Sequence, residues 1–160
     1  MDFPKRKSPR LPFYDYSAPG AYFITICTQE KRKLLSKVVG GGALDAPKIE
    51  LSPLGQLVEK NILSGNRIEG IRVDKYVIMP NHVHLILIID GDQEGHTKAN
   101  ALIPHWVSTF KRFCHQSANS KFFQRSFHDH VIRNEQDYLR IWQYIDNNPA
   151  SWQTDCFFED

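Results

Sequence analysis

The residues with the clearest chemical potential are two histidines and, much later in the chain, a tyrosine and an asparagine. His82 and His84 stand in the segment YVIMPNHVHLILIID, and Tyr144 and Asn148 stand in NEQDYLRIWQYIDNNP. Alternate side chains of a β-strand point to one face, and residues four apart in a helix lie side by side. With the first segment as a strand and the second as a helix, two imidazoles, a carboxamide oxygen and a phenol can meet. These groups suit a metal-assisted attack by tyrosine on a phosphodiester.

The His-x-His pair is by itself a weak indication of a metal site, because such pairs are often structural. Two features strengthen it here. The pair opens an apolar segment, HVHLILII, in which an unpaired imidazole would be costly to bury. It also follows a short turn at Pro80 and Asn81, at the rim of a predicted sheet, where functional sites are commonly built.

Tyr144 competes with Tyr138 for the role of nucleophile. On a helical wheel, one stripe of this segment collects the residues expected to be buried: Tyr138, Ile141, Trp142 and Ile145. Tyr144 and Asn148 lie to one side of that stripe, at about 100° per residue. We therefore expect Tyr144 to present its hydroxyl to a groove beside the sheet, and Tyr138 to pack in the core.

Several cations are candidate contacts for nucleic-acid phosphates, because clustered Lys and Arg can neutralise a phosphate backbone. They form an N-terminal cluster, a pair in an amphipathic segment, and two residues near the closing strand: Lys5, Arg6, Lys7, Arg10, Lys111, Arg112, His130 and Arg133. A solvated surface explains each cluster equally well. His128 and His130 form a second His-x-His, which we interpret as secondary contacts near the site or on DNA.

Length and composition predict one domain over residues 1–160, with residues 1–20 as an extended arm because they hold four prolines. The net charge of +2 does not by itself indicate a nucleic-acid binder. No apolar run has membrane-spanning length, and no apolar stretch follows the basic N-terminus as in a signal peptide. The three cysteines have no metal or disulfide spacing, which favours a cytoplasmic protein, associated with the nucleoid when it acts on DNA.

Apolar and turn-forming residues predict four strands: 21–28, 71–79, 82–90 and 126–133. Only Pro80 and Asn81 separate the middle two, so they should form an antiparallel hairpin. The second strand of this hairpin is apolar on both faces, which favours a central, covered position. The stretch VVGGGALDAPK, by contrast, is predicted to be a loop.

Three helices complete the prediction. Ser52 is a suitable N-cap for the first, with Pro53 at its first position. The second is amphipathic, with a stripe of residues expected to be buried: Ile103, Trp106, Val107, Phe110, Phe113, Cys114 and Ser117. The third begins near Asn134 and ends near Asn148. This order is typical of an α+β fold of the ferredoxin-like, split βαβ type, with helices packed on an antiparallel sheet and a terminal helix that carries the tyrosine.

With these residues in view, the chain resembles the single-tyrosine HUH transposases, and more narrowly their REP-associated tyrosine transposase branch. Three separated motifs in the same order carry the resemblance: RLPFYDYSAPGAYFITICTQEKR, YVIMPNHVHLIL and FFQRSFHDHVIRNEQDYLRIWQYIDNNP. It covers almost the whole chain. The first motif resembles the opening strand of the family, the second its HUH strand, and the third its closing segment and tyrosine helix.

The resemblance implies that His82 and His84 are metal ligands, Asn148 the third protein ligand and Tyr144 the nucleophile. It implies a DNA transposase or endonuclease that acts on single-stranded DNA with hairpins, requires Mg²⁺ or Mn²⁺, and forms a 5′-phosphotyrosine. Two imidazoles are softer ligands than magnesium prefers, which favours manganese. Whether the protein works as a monomer or a homodimer stays open, as does the base that takes the tyrosine proton.

Two other functions remain open at this stage. A non-catalytic nucleic-acid-binding module would use aromatic residues of the first strand, such as Tyr22 and Phe23, to stack bases, although core packing is the simpler explanation for them. A metal-dependent phosphodiester hydrolase would activate water at His82 and His84. The spacing of Tyr144 and Asn148 favours the transferase over both.

Overall fold

A computed structural model describes residues 20–42, 45–64, 68–90, 99–155 and 157. It has six strands, namely β1 (Gly20–Cys27), β2 (Ser36–Val39), β3 (Lys48–Leu51), β4 (Ile71–Ile78), β5 (His82–Ile89) and β6 (His128–Ile132). Its three α-helices are α1 (Pro53–Leu63), α2 (Ala99–Ala118) and α3 (Glu135–Asn147). The predicted N-terminal arm and its four candidate DNA contacts, Lys5, Arg6, Lys7 and Arg10, lie outside the described residues.

The main sheet has four antiparallel strands in the order β4-β5-β1-β6. With α1 between β1 and β4, and α2 between β5 and β6, this is the ferredoxin-like arrangement, so the predicted fold class is confirmed. The central strands β1 and β5 pair over their whole lengths, from Gly20 opposite Ile89 to Cys27 opposite His82.

The two faces of the sheet are covered by different helices. One face packs with α1 and α2 into the main core, which takes Val83, Leu85 and Leu87 from β5. The opposite face packs under α3, through a small cluster of Ile86, Ile141 and Ile145. Because side chains alternate along a strand, β5 is buried on both faces, as its uninterrupted apolar run predicts.

Both predicted helix starts have the geometry that their sequences indicate. The Ser52 hydroxyl accepts a hydrogen bond from the Gly55 amide at 3.0 Å, and Pro53 occupies the first position of α1. The Asn134 side chain accepts from the Asp137 amide at 2.8 Å at the start of α3. Each cap supplies an acceptor to an amide that has no partner within the helix.

Three sequence predictions about local structure need correction. Ser117, assigned to the buried stripe of α2, is exposed. The stretch predicted as a loop begins in β2 and ends in β3, which pair antiparallel, whereas its other described residues, 40–42 and 45–47, lie outside strands. Trp142, assigned to the buried stripe of α3, is exposed, and the Lys75 ammonium lies 3.3 Å from the centroid of its ring. The sheet face under α3 accommodates only a narrow stripe of Ile141 and Ile145, so the neighbouring indole covers a lysine at the sheet edge instead.

Two further features concern the cysteines and the apolar character of the helices. Cys27 and Cys114 are buried and carry reduced thiols, and Cys156 lies outside the described residues. Among the helices that the structure describes, none combines the length and apolar character needed to cross a membrane.

Candidate metal centre and neighbouring tyrosine

The two histidines lie at the start of β5, on the sheet face covered by α3. Odd-numbered residues of β5 enter the main core, so His82 and His84 share the opposite face with Ile86. Thr25 of β1 pairs with His84, and Cys27 pairs with His82. Both imidazoles are buried, with 0% and 1% of their surfaces exposed.

Each imidazole is oriented by a hydrogen bond at Nδ1. His84 Nδ1 lies 2.8 Å from Thr25 Oγ1, and His82 Nδ1 lies 2.8 Å from Asn81 Oδ1. The Asn81 amide nitrogen donates to the Phe157 carbonyl at 2.6 Å, which leaves Oδ1 as an acceptor. The proton of His82 must therefore sit on Nδ1, so that its Nε2 carries the lone pair. This is the tautomer that a metal ligand requires.

Three buried polar atoms at this site have no hydrogen-bond partner among the described residues: His82 Nε2, His84 Nε2 and Asn148 Oδ1. Asn148, directly after α3, is fully buried, and its amide nitrogen donates to Asp155 Oδ2 at 2.8 Å. A buried polar atom without a partner costs about 1–3 kcal/mol, so three together need an explanation. A divalent cation would supply one, because imidazole nitrogen and amide oxygen are both metal ligands.

A carboxylate that sequence reasoning missed completes the cluster. One ligand atom from each of His82, His84 and Asp155 lies within 4.8 Å of the others, a spacing that a single ion can bridge. Asp155 follows the short turn Trp152–Thr154, beyond α3. No periodic pattern connects it to the histidines, so nothing in the sequence could have indicated it.

Burial keeps both imidazoles neutral. It lowers the pKa of His82 to about 4, although the Asp155 carboxylate and the Asn148 amide oppose this shift. Burial also lowers the pKa of His84 well below its usual value, and the neighbouring His82 adds to the effect. Neutral imidazoles at neutral pH are ready to bind a cation without first releasing a proton.

Tyr144 lies beside this cluster at the edge of the covered face. Its ring centroid is 5.4 Å from that of His84 and 6.1 Å from that of Phe23. The residue is 39% exposed, so part of its side chain is accessible from solvent. Phe157 closes another side of the site, with its ring centroid 4.6 Å from that of His82.

Tyr138, the other candidate nucleophile, forms a hydrogen bond within the fold. The Tyr138 hydroxyl donates a hydrogen bond to Asp74 on β4. This hydrogen bond raises the pKa of Tyr138, and burial adds to the effect, so its phenolate form is disfavoured. Partly buried, Tyr138 packs against the small cluster under α3, as its place on the helical stripe predicts.

Apart from Lys111, the described candidate DNA contacts fall into two groups. His128 and His130 pair with Thr25 and Phe23, and therefore lie on the same sheet face as the metal-ligand candidates. The His130 imidazole lies 2.9 Å from the carboxylate of Asp137. Arg112 and Arg133 are exposed.

Lys111 has a structural environment instead. It is 9% exposed, and its ammonium donates to the carbonyls of Gln124, Arg125 and Ser126 at 2.6, 3.2 and 3.0 Å. Three carbonyl acceptors match the three protons of an ammonium. This lysine therefore holds the loop between α2 and β6, and its donors are already used within the fold.

No protein-family model matches this chain. An uncharacterized protein of Haemophilus influenzae is 34% identical, over 97% of this chain and 94% of that protein, so the two belong to one family. The REP-associated tyrosine transposase of Escherichia coli is 24% identical, over 84% of this chain and 69% of that protein. The chain is therefore similar in sequence to a REP-associated tyrosine transposase.

The fold is similar to that of a solved structure. The structure of a REP-associated tyrosine transposase bound to a REP hairpin matches with a TM-score of 0.60 at 19% identity, covering 83% of this chain and 68% of that one. The fold brings together the four residues singled out from the sequence: His82, His84, Tyr144 and Asn148.

Proposed function

We propose that this protein is a metal-dependent transposase of single-stranded DNA, which cleaves and rejoins DNA through a covalent 5′-phosphotyrosine and is guided by DNA hairpins. The observation that carries the proposal is the set of three buried polar atoms beside Tyr144 that have no hydrogen-bond partner among the described residues. A binding module of the same fold would have no use for such a set. Related transposases, one of them bound to a REP hairpin, support the choice of DNA as substrate.

His82, His84 and Asn148 would hold the cation, Mg²⁺ or Mn²⁺, through Nε2, Nε2 and Oδ1. When bound, such an ion polarises a phosphate oxygen and stabilises the charge that develops in the transition state. Tyr144 supplies the nucleophile. A bond forms between its phenolic oxygen and phosphorus, the bond from phosphorus to the 3′ oxygen breaks, and the phenol loses one proton while the leaving oxygen gains one.

This exchange needs no external energy, because one phosphoester replaces another. The freed 3′-hydroxyl can attack the phosphotyrosine of another end by the reverse path, which joins the strands. The buried, water-poor setting of the histidines contributes by keeping the electrostatic interactions strong.

A groove between α2 and the loop after it is the candidate surface for the DNA backbone. It encloses about 1010 Å³, and among its described lining residues there are exposed cations but no carboxylate. The exposed cations are Arg112, Lys121 and Arg125. The groove lies at the same sheet end as the histidines, since the Gln124 amide donates to Cys27, the strand partner of His82. Such a charge distribution favours a polyanion.

Tyr144→Phe tests the covalent step, with Tyr138→Phe as the matched control. Each protein would be incubated with labelled hairpin-bearing single strands and Mn²⁺, then separated on a denaturing gel. Loss of a protein–DNA adduct in Tyr144→Phe alone, with hairpin binding retained, is the expected result. Adducts that persist in Tyr144→Phe would remove Tyr144 from the role. Cleavage that survives without an adduct would instead indicate a hydrolase.

A further inference from the structure

Two of the three candidate ligands are joined by a continuous hydrogen-bond circuit that runs through the segment after α3. His82 Nδ1 donates to Asn81 Oδ1 at 2.8 Å, and Asn81 Nδ2 donates to the Phe157 carbonyl at 2.6 Å. The Phe157 amide donates to Asp155 Oδ1, and Asn148 Nδ2 donates to Asp155 Oδ2, both at 2.8 Å. At the two ligands the links use His82 Nδ1 and Asn148 Nδ2, so His82 Nε2 and Asn148 Oδ1 take no part in them.

The circuit fixes which atoms remain available. Asn81 Oδ1 accepts the Nδ1 proton of His82, so Nε2 of this imidazole remains available for a cation. Asp155 Oδ2 accepts a hydrogen bond from Nδ2 of Asn148, so the side-chain carbonyl oxygen of Asn148 also remains available. Without the Asp155 carboxylate, the Asn148 amide could rotate and present its NH₂ group, which cannot bind a metal.

The residues of this circuit are also anchored to neighbouring parts of the fold. The Asn81 carbonyl accepts from the Thr28 amide at 2.9 Å and from the Thr28 hydroxyl at 3.1 Å, which ties the turn before β5 to the end of β1. The Phe157 ring lies against both imidazoles, with centroids 4.6 and 5.9 Å away. The segment that contains Asp155 is therefore held from the side of His82 as well as from α3.

We infer that Asp155 is a positioning residue of the metal centre, which holds Asn148 as a ligand through its Nδ2 hydrogen bond and links it to His82 through Phe157 and Asn81. The inference rests on the proposed function, because it presupposes a cation at His82, His84 and Asn148. Outer partners that orient ligands in this way change metal affinity by about 10- to 100-fold when removed.

The test measures Mn²⁺ affinity directly, from the electron paramagnetic resonance signal of free Mn²⁺, with DNA absent. Asp155→Ala should weaken binding by about 10- to 100-fold, whereas Asp155→Asn, whose carbonyl can still accept from Asn148, should recover part of the loss. Asp146→Ala, which removes an exposed carboxylate of α3, is the matched control and should bind as the wild type does. Circular dichroism and melting in EDTA establish that each variant is folded.

A double-mutant cycle with Asn148→Ala separates positioning from direct coordination. If Asp155 acts through Asn148, its removal in the Asn148→Ala background should change Mn²⁺ affinity by less than about 2-fold. Independent losses that add in the double variant would overturn the inference, and so would wild-type affinity in Asp155→Ala. Failure of the wild type itself to bind Mn²⁺ would contradict the proposed metal centre and is thus a separate outcome.

Discussion

Acid should destabilise the metal-free protein through its buried histidines, and the loss can be estimated for His82. Its pKa falls from 6.5 in the unfolded chain to about 4 in the fold, because burial disfavours the imidazolium. Between these values the unfolded state binds a proton that the folded state does not, so the free energy of unfolding decreases as the pH falls. The stability is therefore fully present above pH 6.5 and is lost towards pH 4.

Within this window, each unit by which the pH falls lowers the free energy of unfolding by about 1.4 kcal/mol per histidine. From pH 6.5 to pH 5, His82 alone should lower the free energy of unfolding by roughly 2 kcal/mol. His84 shifts in the same direction and adds to the loss. The stability of a small domain is only about 5–15 kcal/mol, so a change of this size is easily measured.

Urea unfolding at pH 7.5 and at pH 5, in EDTA, measures this difference. His82→Gln cannot take up the proton and should show a shallower pH dependence, whatever its stability at neutral pH. An equal loss in the wild type and in His82→Gln would refute the assignment of this loss to His82. A wild type whose stability is flat over the same interval would refute burial as the cause.

Two other predictions concern the cations around α2. Lys111→Met keeps the aliphatic stem but leaves three carbonyls without their donor, and should lower the free energy of unfolding by about 2–4 kcal/mol in urea titrations. Arg112→Gln, one residue along, should stay within about 0.5 kcal/mol of the wild type, and equal losses would contradict the structural role. A groove variant neutralises three cations: Arg112→Gln, Lys121→Gln and Arg125→Gln. A control neutralises three exposed lysines elsewhere: Lys37→Gln, Lys48→Gln and Lys60→Gln. The groove variant should weaken hairpin binding and reduce the salt dependence of the binding constant by the equivalent of up to about three phosphate contacts. Equal effects in the control variant would exclude the groove as a specific DNA-binding surface.

Most secondary-structure elements could be predicted, because their signals are local. Alternation and apolar runs indicate β1 and β5, and the caps at Ser52 and Asn134 indicate where α1 and α3 begin. The β2–β3 hairpin could not be predicted, because its strands are only four residues long and partly exposed and therefore give a weak strand pattern. The glycines between them give a stronger pattern, which is that of a loop. Trp142 was misplaced because a helical wheel shows which residues share a face but not how wide a face the sheet will cover.

The candidate site, too, was predictable where local sequence patterns define it and unpredictable where tertiary packing does. The sequence by itself determined the pairs His82–His84 and Tyr144–Asn148, because the period of a strand and the pitch of a helix place each pair on one face. Only the tertiary structure placed the two pairs together, buried the imidazoles, and added Asp155 and Phe157 to the cluster. Those last contacts depend on where a non-repetitive segment returns after α3. No local period encodes that return, because it is decided by which hydrogen bonds the assembled sheet and helix leave unfilled.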